Sequence, residues 1–361
     1  MTKKKRTRRT PARKSQPSGA APSTPATPVP ASQPSTPPQP TAPSADALQK
    51  AAVDELLTKL EKARERPAIV YWTSQVAKVS MGVELTLLDQ LINLPTSAEL
   101  DLVLFTYGGD TEAPSRIIDL IREYSKHLTV LIPHVAQSSG TLIAIGADEI
   151  QMTPLGTLGP IDPSRVHPLL PRRKETESPE PVSVQDMRHA MEFIREAVGP
   201  DATPSPQDWA QIFTSLFDKI HPLAIGAIEQ SYALAKLIAR HNLGTHLDQK
   251  SDKKKISEII DKLCDSYKSH QYRIGRKEAA EIGLNAVSPR PEVETILFDL
   301  LKHYNSRPIV PGMSGKTKPG DQVTSHIAWL DSTRLKRRCE QTSIVGDQGK
   351  LSSQRDRWVT Y

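Results

Sequence analysis

Cysteine is scarce: only Cys264 and Cys339 occur in 361 residues, far apart in the chain. That excludes a disulfide framework and a cysteine-rich metal cluster. Long apolar runs are absent too, none approaching the roughly 18 consecutive residues a membrane-spanning helix needs. A basic start can open a secretory signal, but no apolar stretch follows it here, so Arg8–Arg9 is not read as an export address. The expectation is a soluble, cytoplasmic protein. Neither GxGxxG nor GxxxxGK[ST] is present, which weakens a nucleotide role, and nothing resembles a nucleic-acid reading helix or an aromatic stacking motif.

What the chain does have begins with a tail. Met1–Lys14 is dense in Lys and Arg, and Ser15–Ala45 is almost wholly Pro, Ser, Ala, Thr, Gln and Gly. Such text buries too little apolar surface to offset the entropy of ordering it, so residues 1–45 read as disordered. The whole chain carries a formal charge of +6, yet without the first fourteen residues it is near neutral or mildly acidic. The arm reads as a solubilising tail; its alternative reading is a weak electrostatic contact with nucleic acid or an anionic membrane through counterion release.

After the tail the text alternates. Residues 46–65 carry Leu48, Ala52, Leu56 and Leu60 at helical spacing, and Pro67 ends them. Ala68–Trp72, Asp101–Thr106 and Leu128–Ile132 are short apolar runs, separated by helical patterns at Leu85, Leu88, Leu91 and Ile92 and at Ile117, Ile118, Ile121 and Tyr124. Runs without polar alternation are what strands buried on both faces of a parallel sheet look like, and the rhythm predicts an α/β fold. A short helix over Thr141–Ala147 and a strand at Glu149–Met152 continue it. Pro171–Val182 reads as a surface loop, with helices around Met187–Val198, across Trp209–Arg240, and through Ile256–Tyr267. The segment Ser269–Val287 reads as a turn, a short helix ending at Gly283, and a strand. The division expected is a tail (1–45), a domain over 46–290, and an extension over 291–361 with one helix and short β-like pieces.

Two stretches stand where apolar runs give way to small residues: FTYGGD at Phe105–Asp110 and VAQSSGT at Val135–Thr141. In open parallel sheets the ligand crevice lies beyond the carboxyl ends of the strands, where both fall. Glycine there permits close backbone approach, and consecutive amides can converge on an anion. Ser139 just before a helix would project its hydroxyl into the crevice as a nucleophile, with the Gly109 and Gly140 amides holding an oxyanion. The plainer alternative makes Ser138 or Ser139 an N-cap and the glycines turn residues.

At these residues the sequence resembles the Clp-fold serine peptidases of the crotonase-like superfamily, and most closely the serine dehydrogenase proteinase (SDH-type) family, related to signal peptide peptidase A and ClpP. The matching text is IVYWTS at Ile69–Ser74, DLVLFTYGGDTEAPSRI at Asp101–Ile117, SSGTLIAIGADEIQMTPLGTLGPIDP at Ser138–Pro163 and RKEAAEIGL at Arg276–Leu284. The resemblance implies a spiral of ββα units and a homo-oligomer. It also implies Ser139 as nucleophile, Gly108–Gly109 and Gly140 as the oxyanion site, and a peptide or protein substrate cleaved without metal or organic cofactor.

The base departs from the family pattern. Where a ClpP-like chain carries histidine, this one reads GPIDPSRVHP, with Asp162 near the spot and His167 beyond. A lysine base, as in signal peptide peptidase, finds Lys219, Lys236 and Lys268 without a motif to single one out. His270, before the matched RKEAAEIGL segment, is the first choice of base and His221 the second; Asp162 orients the base or caps a loop. Two other readings stand beside the peptidase: a catalytically silent Clp-fold scaffold recruiting through its basic tail, and acyl-CoA thioester chemistry of the same superfamily.

Overall fold

A computed structural model describes residues 44–164, 166–172, 179–198, 205–309, 317–346 and 351–361. The tail lies outside them up to Pro43, as does the middle of the Pro171–Val182 loop. In chain order the strands are β1 (Ala68–Thr73), β2 (Glu99–Phe105), β3 (His127–Ile132), β4 (Val135–Ala136), β5 (Glu149–Met152), β6 (Thr157–Leu158), β7 (Ile274–Gly275), β8 (Ala286–Val287), β9 (Gln322–Asp331), β10 (Lys336–Val345) and β11 (Leu351–Thr360). The helices are α1 (Ala45–Arg64), α2 (Glu84–Asn93), α3 (Ala113–Tyr124), α4 (Ser139–Ala144), α5 (Val184–Val198), α6 (Pro206–Phe217), α7 (Pro222–Leu243), α8 (Lys253–Asp265), α9 (Arg276–Ile282) and α10 (Pro291–Asn305).

The fold is mixed α/β. The main sheet runs β11-β10-β9-β1-β2-β3-β5-β8, parallel from β1 to β8 and antiparallel from β1 through β9 to β11. Alternation within the apolar runs divides the core between the two faces. Ile69 and Tyr71 of β1, with Leu102 and Leu104 of β2, pack toward α3 through Ile117, Ile118 and Ile121. Val70 and Trp72, with Val103 and Phe105, pack toward α1 and α10 through Val53, Leu57, Leu60, Val293, Leu297 and Leu300. Covering both faces is what lets these strands be apolar throughout.

Three details differ from the expectations. In α2 the buried stripe passes through Leu87 and Leu91, leaving Leu85 and Ile92 at 79% and 60% exposure. The helical stretch expected over Trp209–Arg240 breaks into α6 and α7, because Pro222 lacks the amide a continuous helix would need and instead opens a new one at its first turn. The β-like pieces near the C-terminus are three ten-residue strands that extend the main sheet beside β1, Trp72 standing opposite Trp329.

A buried polar knot joins α10 to these strands. The Asp331 carboxylate, fully buried, accepts from the Tyr304 and Tyr361 hydroxyls at 2.7 Å each and from the Arg337 amide at 3.1 Å. The Arg307 guanidinium, 5% exposed, lies 3.8 Å from the same carboxylate and over the faces of Tyr304 and Trp329. Burial raises the Asp331 pKa, while Arg307 and the two hydroxyls act against that rise. Cys264 and Cys339 are both free and buried, and burial pushes each thiol up to about 12.

Candidate active site

Short pairings beyond the sheet's carboxyl edge bring distant segments side by side. Thr106 bridges Ala136 in parallel, β4 pairs β6 in parallel, and β6 pairs β7 antiparallel with Leu158 opposite Ile274. Gly108 and Ser138 each stand two residues past the Thr106–Ala136 bridge, so they become neighbours. Asp162 lies four residues after Leu158 and His270 four before Ile274, so an antiparallel pair delivers both to one place. A crevice of about 650 Å³ results, lined by Gly108, Gly109, Ser138, Asp162, His270 and Lys78 among others.

Ser138 sits at the turn from β4 into α4 with φ 52° and ψ −111°, outside the regions an L-residue favours. Such a conformation costs on the order of 1–3 kcal/mol and persists only where the surroundings enforce it. They do so here. Gly108 has φ +111°, and a Cβ on it would lie 2.9 Å from the Ser138 Cβ. A Cβ on Gly140 would meet the Thr106 side chain at 2.6 Å. The Thr106 hydroxyl ties the glycine loop to β1, accepting from Thr73 Oγ1 at 2.8 Å and from the Gly108 amide at 3.1 Å. Thr141 Oγ1 bonds the carbonyls of Ala136 and Gly159 at 3.0 and 2.8 Å, fixing the strand that leads to Asp162.

Ser139, the serine expected to face the crevice, does not reach it. It is 1% exposed, and its hydroxyl turns back to the carbonyls of Gly109 and Asp110 at 2.9 Å each. The physical reason is the turn itself: the left-handed kink at Ser138 throws that residue outward, and the next one begins α4 facing the glycine loop. Gly140 does not present a free amide there either. Its amide already donates to the Gln137 carbonyl at 2.8 Å, so its part is close packing against Thr106. Among the described residues, the Gly109 and Ser139 amides have no protein acceptor. The Val79–Gly109 bridge uses the Gly108 carbonyl and the Asp110 amide, leaving the Gly109 N–H free.

The basic candidates separate clearly. His270 lines the crevice with Ser138 and Asp162. His221 does not: it caps α7, its Nδ1 accepting from the Leu223 amide at 3.2 Å. Lys236 pairs with Asp261 and Asp265, Lys268 with Glu192, and Lys219 lies against the α5–α6 groove. Asp162 is 6% exposed, and its Oδ1 has no hydrogen-bond partner among the described residues. Burial raises the Asp162 pKa, opposed by a hydrogen bond from Ser183 and by the nearby His270. In the sequence Ser138 reads as no more than a cap, and Lys78, which also lines the crevice, carries no mark of its place. The text offered a signal for Ser138: in Ala136-Gln137-Ser138-Ser139-Gly140 it has small residues two places on either side, the spacing of a G-x-S-x-G nucleophile turn.

A change at Gly109 tests the geometry. A Cβ there would fall 2.2 Å from the Val79 carbonyl oxygen, so Gly109→Ala must break the bridge and swing the amide away. If that amide holds an oxyanion, hydrolysis is expected to fall by about 10²–10³-fold. Steady-state kinetics beside a thermal melt check it; a folded variant with unchanged rate removes Gly109 from the site.

Comparison with known proteins finds partial likenesses. The uncharacterized protein MJ0137 of Methanocaldococcus jannaschii is 27% identical over 208 residues, 58% of this chain and 60% of that protein. MJ1495 of the same organism, also uncharacterized, is 42% identical over 69 residues, 19% of this chain and 24% of that protein. The chain thus spans less than two thirds of the length of either relative. Two solved variants of 1510-N membrane-bound stomatin-specific protease, one in complex with a substrate peptide, share 17% and 15% identity. Each covers 67% of this chain, with 82% and 86% of theirs aligned and TM-scores of 0.34 and 0.35. No helix among the described residues is long and apolar enough to cross a membrane. A family match spans Gly108, Gly109, Ser138 and Asp162 and stops short of His270: over residues 83–188 this chain is similar to the ClpP-like SDH-type serine proteinases.

Proposed function

We propose that the chain hydrolyses peptide bonds through an acyl-enzyme on Ser138. The Ser138 Oγ attacks the scissile carbonyl carbon and its proton passes to the His270 imidazole, which gives it to the departing amine. Water then attacks the ester, the imidazole taking its proton, and Ser138 is restored. The free amides of Gly109 and Ser139 hold the oxyanion in both steps, and Asp162 orients the imidazole. Ser139 acts through its hydroxyl as a strut that keeps the glycine loop at the right distance. The observation that carries the reading is a serine held at positive φ on a strand-to-helix turn, opening on the crevice that also holds Asp162 and His270.

Labelling the full chain with a fluorophosphonate probe, with mass spectrometry to place the adduct, tests this. An adduct on Ser138 is expected. A folded sample that takes no label would sink the reading in favour of a silent scaffold.

A further inference from the structure

The crevice does not end at His270. Asp162, Ser164 and His270 also line a second, polar cavity of about 330 Å³, which continues past Ser183 to Asp186 on α5. Asp186 in turn lines a third, of about 540 Å³, between α5 and α6. This last one is of a different character, its walls formed by Met187, Met191, Ile194, Ile212, Leu216 and Ile220. Val182, Met187 and Ile220 root its inner end in the main core. The outer part has no such partner among the described residues: α6 contains no buried residue, although it reads PQDWAQIFTSLF, and Phe213 and Phe217 on the same helix are 42% and 44% exposed.

We infer that the α5–α6 groove is an exosite that holds an apolar segment of the polypeptide being cut, while a polar stretch of the same polypeptide crosses the middle cavity to Ser138. The inference rests on the peptidase reading of the crevice and adds a substrate class to it: chains with an apolar stretch set off from the scissile bond by polar residues. Adjacency names the occupant, since Asp186 lines both the groove and the middle cavity, and the middle cavity shares Asp162, Ser164 and His270 with the catalytic crevice. The chemistry agrees. Two methionines on one wall give a surface that re-packs around varied apolar side chains, as suits a site that reads hydrophobicity rather than sequence. Burying such a segment is favoured in proportion to the apolar surface removed from water, without demanding a fixed set of hydrogen bonds.

The test needs no cleavage. Full-length Ser138→Ala protein is titrated, by fluorescence anisotropy, into a labelled peptide with a Leu/Ile/Phe stretch joined to a Ser/Gln/Asn segment, and into a control peptide with the stretch replaced by serine. The first is expected to bind and the control not. Met191→Asp on α5 and Ile212→Asp on α6, each added to Ser138→Ala, are expected to weaken binding at least ten-fold, while Met191→Leu keeps it. Thermal melts identify any variant that fails to fold, and the two walls give independent chances of a folded one. Equal binding by a folded Asp variant would overturn the exosite. So would self-association that the Asp variants abolish without any effect on peptide affinity, because the groove would then be a contact between copies. Failure of fluorophosphonate labelling, by contrast, would strike the peptidase reading and leave this binding result standing by itself.

Discussion

Replacing Ser138 by alanine is expected to lower peptide hydrolysis by 10⁴-fold or more, about 5.5 kcal/mol of transition-state stabilisation, and to abolish fluorophosphonate labelling. Ser139→Ala, one residue away, should behave quite differently. It removes a hydroxyl that bonds two carbonyls of the glycine loop and touches nothing in the crevice, so the label should still be taken, and rates should fall by about ten-fold or less. The contrast rests on which side of the turn each residue occupies. Either serine alone, changed to alanine, gives an ambiguous loss; the pair separates nucleophile from strut. Labelling on Ser139 in the unaltered chain would refute the assignment outright.

Arg307→Leu should destabilise the fold by about 3–5 kcal/mol, because it leaves the fully buried Asp331 carboxylate without its guanidinium. The Tyr304 and Tyr361 hydroxyls remain to hydrogen-bond it but carry no charge. The deficit should also depend on pH in a defined direction. Burial raises the Asp331 pKa in the folded protein, so the native state takes up the proton before the unfolded one does. Stability from that group is present below the unfolded pKa and is lost as pH rises through the folded one. Losing Arg307 removes an influence that lowers the folded pKa, so the variant's shortfall should be largest near neutrality and shrink on acidification. Urea titrations at several pH values measure this. A loss under about 1 kcal/mol at neutral pH would show that the cation contributes little beyond packing.

Much of this molecule could be read from its text, and the places where reading failed have physical causes. The parallel strands were legible because burial on both faces leaves an unbroken apolar run, as in Ala68–Thr73. The strands near the C-terminus were harder: the Gly, Pro and Lys around His326–Leu330 masked their length, and only pairing beside β1 makes ten-residue strands of them. In the site, the glycines and the serine pair announced themselves, but which serine faces out depends on one backbone torsion at Ser138, and torsions leave only indirect marks on a sequence. Asp162 and His270 are 108 residues apart, and two strands of two residues each bring them together. Strands that short have no periodicity to detect. Lys78 went unnoticed because the Val79–Gly109 bridge that carries it to the crevice joins segments with no shared pattern.

The meeting of Asp162 with His270 through the paired Leu158 and Ile274 also limits how the gene can change. Substitutions within the two connecting stretches alter the lining of the crevice, but a single codon inserted or deleted in either would change the span from the Leu158–Ile274 pair to one partner and carry it away from the other. Length is therefore held fixed over 159–162 and 270–273. Among descendants of this sequence, gaps should stay out of those eight positions.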